Sequence, residues 1–238
     1  MQKNKKLKWL IPVAILLVLT VTYFVYINIY YHADPCVEAS LITHDGVTVS
    51  KTDYGWYFDG ASTGNALIFY CGAKVEETAY SPLCYELAKE GIDVFLLKIP
   101  FRLAFFGINK ADSIISRYNY DNWYVGGHSL GGAMAASYAS SHSNELAGVI
   151  LLAAYSPTKL DDGLNTILIY GTNDTVLNHS RYSSCLANTP DTRTEHIISG
   201  GNHSGFAFYG NQSGDGTATI SADEQISETV RVIVSAID

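Results

Sequence analysis

The residues with the clearest chemistry lie in Trp123-Tyr124-Val125-Gly126-Gly127-His128-Ser129-Leu130-Gly131-Gly132. A serine stands between two glycines, with an apolar run before it and an alanine-rich run (Ala133, Ala135, Ala136) after it. A strand, a sharp turn and a helix in that order lift the serine hydroxyl clear of the backbone, where it can attack an electrophile. The glycines have a steric reason, since the turn brings neighbouring backbone too close for side chains. Ser129 then sits at a helix N-terminus, whose free N–H groups stabilise negative charge. The Leu130 N–H faces the position where an oxyanion would form. The chemistry implied is acyl transfer through a covalent serine intermediate.

Such a serine needs a base, and the base needs an orienting carboxylate. The order expected for this turn is Ser, then Asp or Glu, then His, each just beyond a strand. Asp174, in Gly171-Thr172-Asn173-Asp174-Thr175, follows an apolar run at 166–170, and His203, in Gly200-Gly201-Asn202-His203-Ser204, follows another at 195–199. The separations of 45 and 29 residues suit one or two crossover units. Each residue alone has a plainer reading: Asp174 as a helix N-cap, His203 as a loop histidine. Their joint placement favours the catalytic one. Asp121, Asp161 and Asp162 precede their strands, at the wrong end, and His128 is expected to pack or hydrogen-bond within the turn. No His-Glu-x-x-His or Cys-x-x-Cys occurs, so no metal or other cofactor is expected.

The second oxyanion donor is expected from the loop after an earlier strand, Tyr70-Cys71-Gly72-Ala73-Lys74, with the Ala73 N–H as the donor. Lys74 is a candidate for the mouth of the site, and a solvated loop lysine is its plainer reading. Only residues 155–165 separate the strand at 149–154 from the next one, which leaves no room for a large lid. The pocket is therefore expected to be shallow and open, bordered by Tyr80, Phe101, Phe105, Phe106, Tyr155, Phe206 and Tyr209. Tyr155 and Phe206, with Lys74, are the substrate-binding candidates.

These residues need a scaffold that gathers strand ends on one edge. Strand-like runs at 47–50, 55–58, 67–70, 93–99, 123–126, 149–154, 166–170 and 195–199 alternate with helical stretches at 77–89, 110–117, 131–141 and 182–186. A last helix runs to 237, opened by the capping box Ser221-Ala222-Asp223-Glu224. The first two runs form a hairpin, and the alternation that follows implies a mostly parallel sheet with helices on both faces. This is an α/β fold with no large cap domain and its functional edge at the strand C-termini.

The chain of 238 residues is 47% hydrophobic and 16% charged, with a net charge of −8. That acidity excludes broad electrostatic binding to nucleic acid. The charge is uneven: residues 1–31 contain Lys3, Lys5, Lys6 and Lys8 and no acid, so the remainder carries −12. Residues 9–31 hold no charged side chain and are long enough to cross a bilayer as a helix. The lysines before them predict a cytoplasmic N-terminus and a catalytic domain outside a cell membrane, with Trp9 and Tyr26, Tyr30 and Tyr31 at the two interfaces and Pro12 in the first turns. A cleaved signal peptide would have a shorter apolar stretch, about 7–15 residues, and a small-x-small site. The organisation expected is a basic tail at 1–8, an anchor at 9–31, a linker at 32–46 and one domain at 47–238.

Cys36, Cys71, Cys84 and Cys185 are too few for a disulfide scaffold, and their three complete pairings stay open. Asn173, Asn178, Asn202 and Asn211 each begin an Asn-x-Ser/Thr acceptor. Glycans on Asn173 or Asn202 would block Asp174 and His203, which fits a bacterial chain better than a glycosylated one.

From about residue 67 to 237 the chain resembles the alpha/beta-hydrolase superfamily, and within it the small single-domain group similar to dienelactone hydrolase and bacterial esterases. The resemblance is carried by Phe69-Tyr70-Cys71-Gly72-Ala73-Lys74-Val75, Gly126-Gly127-His128-Ser129-Leu130-Gly131-Gly132, Ile169-Tyr170-Gly171-Thr172-Asn173-Asp174, Gly200-Gly201-Asn202-His203 and the stretch from Gly214 to Ser221. Two positions depart from the group, Cys71 where proline is expected and Ala73 where glycine is expected. Dienelactone hydrolase uses a cysteine nucleophile, so its substrate does not transfer to a chain with Ser129. The resemblance implies a Ser-His-Asp hydrolase of esters or related acyl bonds, acting on a small-molecule acyl substrate without a cofactor. Two rivals remain: an acyltransferase with the same triad, and a non-catalytic binding protein on the same fold. Oligomeric state is not legible in the residues.

Overall fold

The computed structural model describes residues 3–61 and 63–237; Met1, Gln2, Ser62 and Asp238 lie outside the described residues, the first two within the expected basic tail and Asp238 at the end of the expected domain. The chain divides into two compact units, the first ending at Tyr30 and the second beginning at Tyr31.

The first unit is the helix α1, Lys3–Asn28. Its stretch Lys8–Asn28 has 21 residues and a mean hydropathy of 2.5, long and apolar enough to cross a membrane. At about 1.5 Å per residue it covers roughly the thickness of a hydrocarbon core. Its apolar side chains are exposed, Leu16 at 66% and Leu17 at 63%, unlike those of a helix buried in a soluble core. The two polar side chains turn back on the helix: Thr20 Oγ1 donates to the Leu16 carbonyl at 2.8 Å and Asn28 Nδ2 to the Phe24 carbonyl at 2.7 Å. Two details differ from the sequence reading. The helix starts early enough to put Pro12 inside it, and it stops at Asn28 instead of Tyr31. The reason is long-range pairing: the Tyr31 N–H donates to the Lys74 carbonyl at 2.7 Å and its carbonyl accepts from the Glu76 N–H at 2.9 Å.

The second unit is an eight-stranded sheet. Its strands are β1 (Thr48–Lys51), β2 (Gly55–Asp59), β3 (Asn65–Tyr70), β4 (Ile92–Leu97), β5 (Asn122–His128), β6 (Gly148–Leu152), β7 (Asn165–Gly171) and β8 (Thr194–Ile198), in the order β1-β2-β4-β3-β5-β6-β7-β8. The β1–β2 and β2–β4 pairs are antiparallel and all others parallel. Helices α2 (Ser81–Lys89), α3 (Lys110–Ile115), α4 (Leu130–Ser141) and α5 (His179–Cys185) make the crossovers, and α6 (Ala222–Ile237) closes the chain. Between β6 and β7 lies irregular chain with no helix or strand, and among the described residues no large cap is inserted there.

Strand side chains alternate between faces, which splits the core in two. Leu67 and Phe69 pack with Leu83 and Leu87 of α2 and Ile226 and Ile233 of α6. Ala66, Ile68 and Tyr70 pack with Ile114 of α3, Ala135 and Ala136 of α4 and Tyr182 of α5. Near-continuous apolar strands such as β3 and β4 are what burial on both faces requires.

The stretch 32–46, expected as a linker, is tied into this unit. The Asp34 N–H donates to the Phe208 carbonyl at 2.8 Å, residues Pro35–Leu41 form a 3-10 turn with Val37 buried, and the Tyr85 hydroxyl bonds to the His44 carbonyl at 2.8 Å. All four cysteines are free thiols, and Cys71 and Cys84 are buried; burial pushes both thiols well up.

The capping box on α6 forms as the residues dictate. The Glu224 N–H donates to Ser221 Oγ at 3.2 Å, and the Ser221 N–H donates to Glu224 Oε2 at 2.7 Å. Ser221→Ala is expected to lower stability by about 1 kcal/mol in urea unfolding.

Candidate active site

Ser129 ends β5 and caps α4 at φ 54 and ψ −124. A non-glycine residue at positive φ costs roughly 1–3 kcal/mol and persists only where its surroundings impose it. Here its N–H donates to the Leu152 carbonyl at 2.9 Å and its carbonyl accepts from Ala133 at 3.1 Å. The flanking glycines are steric necessities. A Cβ on Gly127 would strike the Tyr70 carbonyl oxygen, and one on Gly131 would strike the carbonyl oxygens of Tyr70 and Cys71. The first turn of α4 is thus pressed against the loop after β3. Its leading N–H groups, Leu130 foremost, have no partner within the helix.

Asp174 follows β7 and is buried. Its two oxygens take different partners. Oδ1 accepts from the N–H groups of Val176 and Leu177 at 2.9 and 2.8 Å, and Oδ2 accepts from His203 Nδ1 at 2.9 Å. It does not cap α5, whose N-cap is Asn178. His203 is also buried, and its Nε2 makes no hydrogen bond. With Nδ1–H given to Asp174, Nε2 is left as the basic lone pair. Ser129 and His203 line one cleft of about 250 Å³, with Leu130, Tyr155, Leu177 and Asn178 among its walls. Ser129 Oγ and His203 Nε2 are not hydrogen-bonded, as is common where no substrate is present.

Other groups hold these in place, and sequence reasoning missed them. Asp215 accepts from the Ser204 N–H at 2.9 Å, the His203 N–H at 3.3 Å and the Thr175 N–H at 3.4 Å, joining the loops that carry Asp174 and His203. Its signals were its place between two glycines and its membership of the stretch from Gly214 to Ser221 that carries the resemblance. Gln225 of α6, fully buried, accepts from the Asn202 N–H at 3.0 Å and donates to the Asn202 carbonyl at 2.8 Å.

His128 extends the same support, as its place in the turn suggested. Its Nε2 bonds to the His203 carbonyl at 3.0 Å, so Nε2 carries the proton, and Nδ1 accepts from the Tyr80 hydroxyl at 2.8 Å. The Tyr80 oxygen in turn accepts from the Gly72 N–H at 3.1 Å. One chain of hydrogen bonds therefore joins the loop after β3 to the backbone of His203. Burial, and then the nearby His203, hold His128 well below the usual histidine range, so it is neutral.

Several expected border residues lie elsewhere. Tyr80 and Phe206 are fully buried and Tyr209 nearly so. Phe206 is not a substrate-binding side chain on the open face; it packs in the core with its ring 5.7 Å from that of His128. Its apolar bulk follows His203 closely in sequence, and the 3-10 turn Ser204–Phe206 directs it inward. Lys74 is not among the cleft walls; its N–H donates to the Arg102 carbonyl at 2.8 Å. Tyr155 does line the cleft, whereas Phe101, Phe105 and Phe106 are exposed away from it. Among the described residues no group of three or more His, Cys, Asp or Glu is placed to hold a metal ion.

Tyr80→Phe leaves His128 Nδ1 and the Gly72 N–H unpaired in the core and is expected to cost about 1–3 kcal/mol in urea unfolding. The neutral His128 adds a pH dependence. Its stabilisation is complete above the unfolded-state pKa of about 6.5 and is lost as pH falls below it, because only the unfolded chain takes the proton. His128→Gln is expected to flatten that acid limb by up to one proton in stability measured between neutral and mildly acid pH.

Residues 66–227 match the sequence profile of the alpha/beta hydrolase family. No curated protein sequence matches the chain. Among solved structures, a bacterial heroin esterase is 16% identical with a TM-score of 0.55, covering 85% of this chain and 89% of that one. A soluble variant of monoglyceride lipase from Saccharomyces cerevisiae is 12% identical with a TM-score of 0.58, covering 83% and 96%. TT1662 from Thermus thermophilus is 12% identical with a TM-score of 0.60, covering 81% and 98%. At these identities the likeness is one of fold, and the family follows from the profile spanning most of the sheet and its helices: this chain belongs to the alpha/beta hydrolase family.

Proposed function

We propose that the protein is a serine hydrolase that cleaves carboxylic esters through an acyl-enzyme. The observation that carries the reading is the convergence on one cleft of a strained Ser129 and a buried His203 whose Nε2 is unpartnered and whose Nδ1 is held by Asp174 at 2.9 Å. Ser129 Oγ attacks the acyl carbon while His203 Nε2 takes its proton, and Asp174 stabilises the imidazolium that forms. The Leu130 and Ala73 N–H groups receive the oxyanion. His203 then returns the proton to the departing alcohol, and a water deprotonated by the same nitrogen releases the acid.

The cleft of about 250 Å³ has mainly apolar walls, including Leu130, Ala133, Ala154 and Leu177. This is small beside pockets that enclose whole ligands, which favours a short acyl group with the alcohol portion left outside. Names among the structural neighbours, esterase and lipase, fit an ester substrate. The helix Lys8–Asn28 supports a membrane anchor. With its leading lysines inside, the catalytic unit faces out.

Ser129→Ala is expected to abolish fluorophosphonate labelling and to reduce ester turnover by about 10⁶. Asp174→Asn is expected to lower kcat by about 10⁴ with the cleft intact. Undiminished turnover by Ser129→Ala on a p-nitrophenyl ester panel would overturn the assignment.

A further inference from the structure

The loop after β4 carries three exposed aromatic side chains that the proposed chemistry does not use. Phe101, Phe105 and Phe106 are 40%, 50% and 50% exposed. They cluster, with ring centroids 5.4 Å apart for Phe101–Phe106 and 4.3 Å apart for Phe105–Phe106. A contiguous exposed apolar patch marks a surface that meets something other than water. Cations adjoin it: Lys98, Arg102 and Lys110 line the neighbouring hollow with the acids Glu77 and Asp53. Glu77 pairs with Lys98 at 3.2 Å, and Asp53 pairs with Arg117 at 3.0 Å, beyond the hollow's own cations. The hollow thus holds three cations against two acids, on a unit that is acidic as a whole.

The chain arrives from the apolar helix at this same loop system. The Tyr31 N–H donates to the Lys74 carbonyl at 2.7 Å, and the Lys74 N–H donates to the Arg102 carbonyl at 2.8 Å. Only Ile29 and Tyr30 separate Tyr31 from Asn28, the last residue of the apolar stretch. Three residue steps reach at most about 10 Å. A bilayer that holds the helix to Asn28 therefore has its surface within that reach of Tyr31, whose partner Lys74 is bonded to the base of the aromatic loop.

We infer that Phe101, Phe105 and Phe106, flanked by Lys98, Arg102 and Lys110, form a second membrane contact. The rings enter the headgroup region, where aromatic side chains are favoured, and the cations meet anionic headgroups. The inference rests on reading Lys8–Asn28 as an anchor and on no catalytic step. β4 lies two strands from β5, about 10 Å across the sheet, and its loop leaves from the same edge as Ser129. The contact would hold that edge at the bilayer and direct the cleft to esters dissolved in it.

The test is tryptophan quenching in the full chain, reconstituted into vesicles of roughly 2:1 phosphatidylcholine to phosphatidylglycerol with bromines near the headgroup. Phe105→Trp is compared with the wild type and with Ile197→Trp, an exposed position on β8. The emission added at position 105 is expected to fall about twofold or more, with that added at position 197 unchanged. Quenching of Trp9, read as the emission that Trp9→Phe removes from that of Trp56 and Trp123, without quenching at position 105 overturns the inference while leaving the anchor standing. Absence of quenching at Trp9 shows that the anchor reading itself has failed, and the inference falls with it. Equal quenching at position 105 in phosphatidylcholine alone removes the cations from the contact. Hydrolysis of a water-soluble ester, followed in the same vesicles, reports the catalytic reading separately.

Discussion

The buried hydrogen bond between Asp174 Oδ2 and His203 Nδ1 is the interaction on which the arrangement turns. A carboxylate removed from water is tolerated only when its oxygens are satisfied. Asp174 achieves this with two backbone N–H groups on one oxygen and the imidazole on the other. The imidazole has a single orientation in consequence, and its second nitrogen is left to do chemistry. Much of the surrounding structure keeps this pair together. β7 and β8 are adjacent and parallel, so the loops carrying Asp174 and His203 leave from the same edge. Asp215 and Gln225 then lock those loops by their backbones.

Ser129 obeys a different constraint. Its turn depends less on what side chains attract than on what they would obstruct. The start of α4 lies so close to the end of β3 that glycine alone fits at positions 127 and 131. The same closeness sets the N-terminus of α4 against the end of β3 and the start of the loop that follows it. His128 and Tyr80 connect that place to His203 through neutral hydrogen bonds. A protonated His128 could not accept from Tyr80, so the low affinity of this buried ring for protons is part of what keeps the network whole.

An exposed aromatic cluster and an apolar helix pose a related question of solvent. Both present carbon surface that folding has not buried, although the second unit fills two cores completely. The first-unit helix answers its backbone and polar side chains internally, which is the condition for lying in hydrocarbon. The Phe101–Phe106 cluster, with cations around it, suits the boundary between hydrocarbon and water.

Local patterns in the residues were sufficient for the elements and for the catalytic candidates. Alternating apolar runs, the Gly-x-Ser-x-Gly spacing and the placement of Asp174 and His203 after strands are short-range signals, and the structure gathers those residues at one edge. The capping box at Ser221 was equally legible, since its two partners are three residues apart. Tertiary structure decided the rest. Phe206 and Tyr80 read as pocket residues by type, yet three-dimensional packing turned them inward. Asp215 and Gln225 became supports through contacts with loops that only the folded sheet and α6 bring to them. The end of the apolar helix at Asn28 and the docking of residues 32–46 likewise depended on long-range pairing, for which a single sequence carries no periodicity. What the residues determined by themselves was which chemistry was possible and in which elements; which side chains face the cleft was settled by packing, because burial is a property of the whole fold.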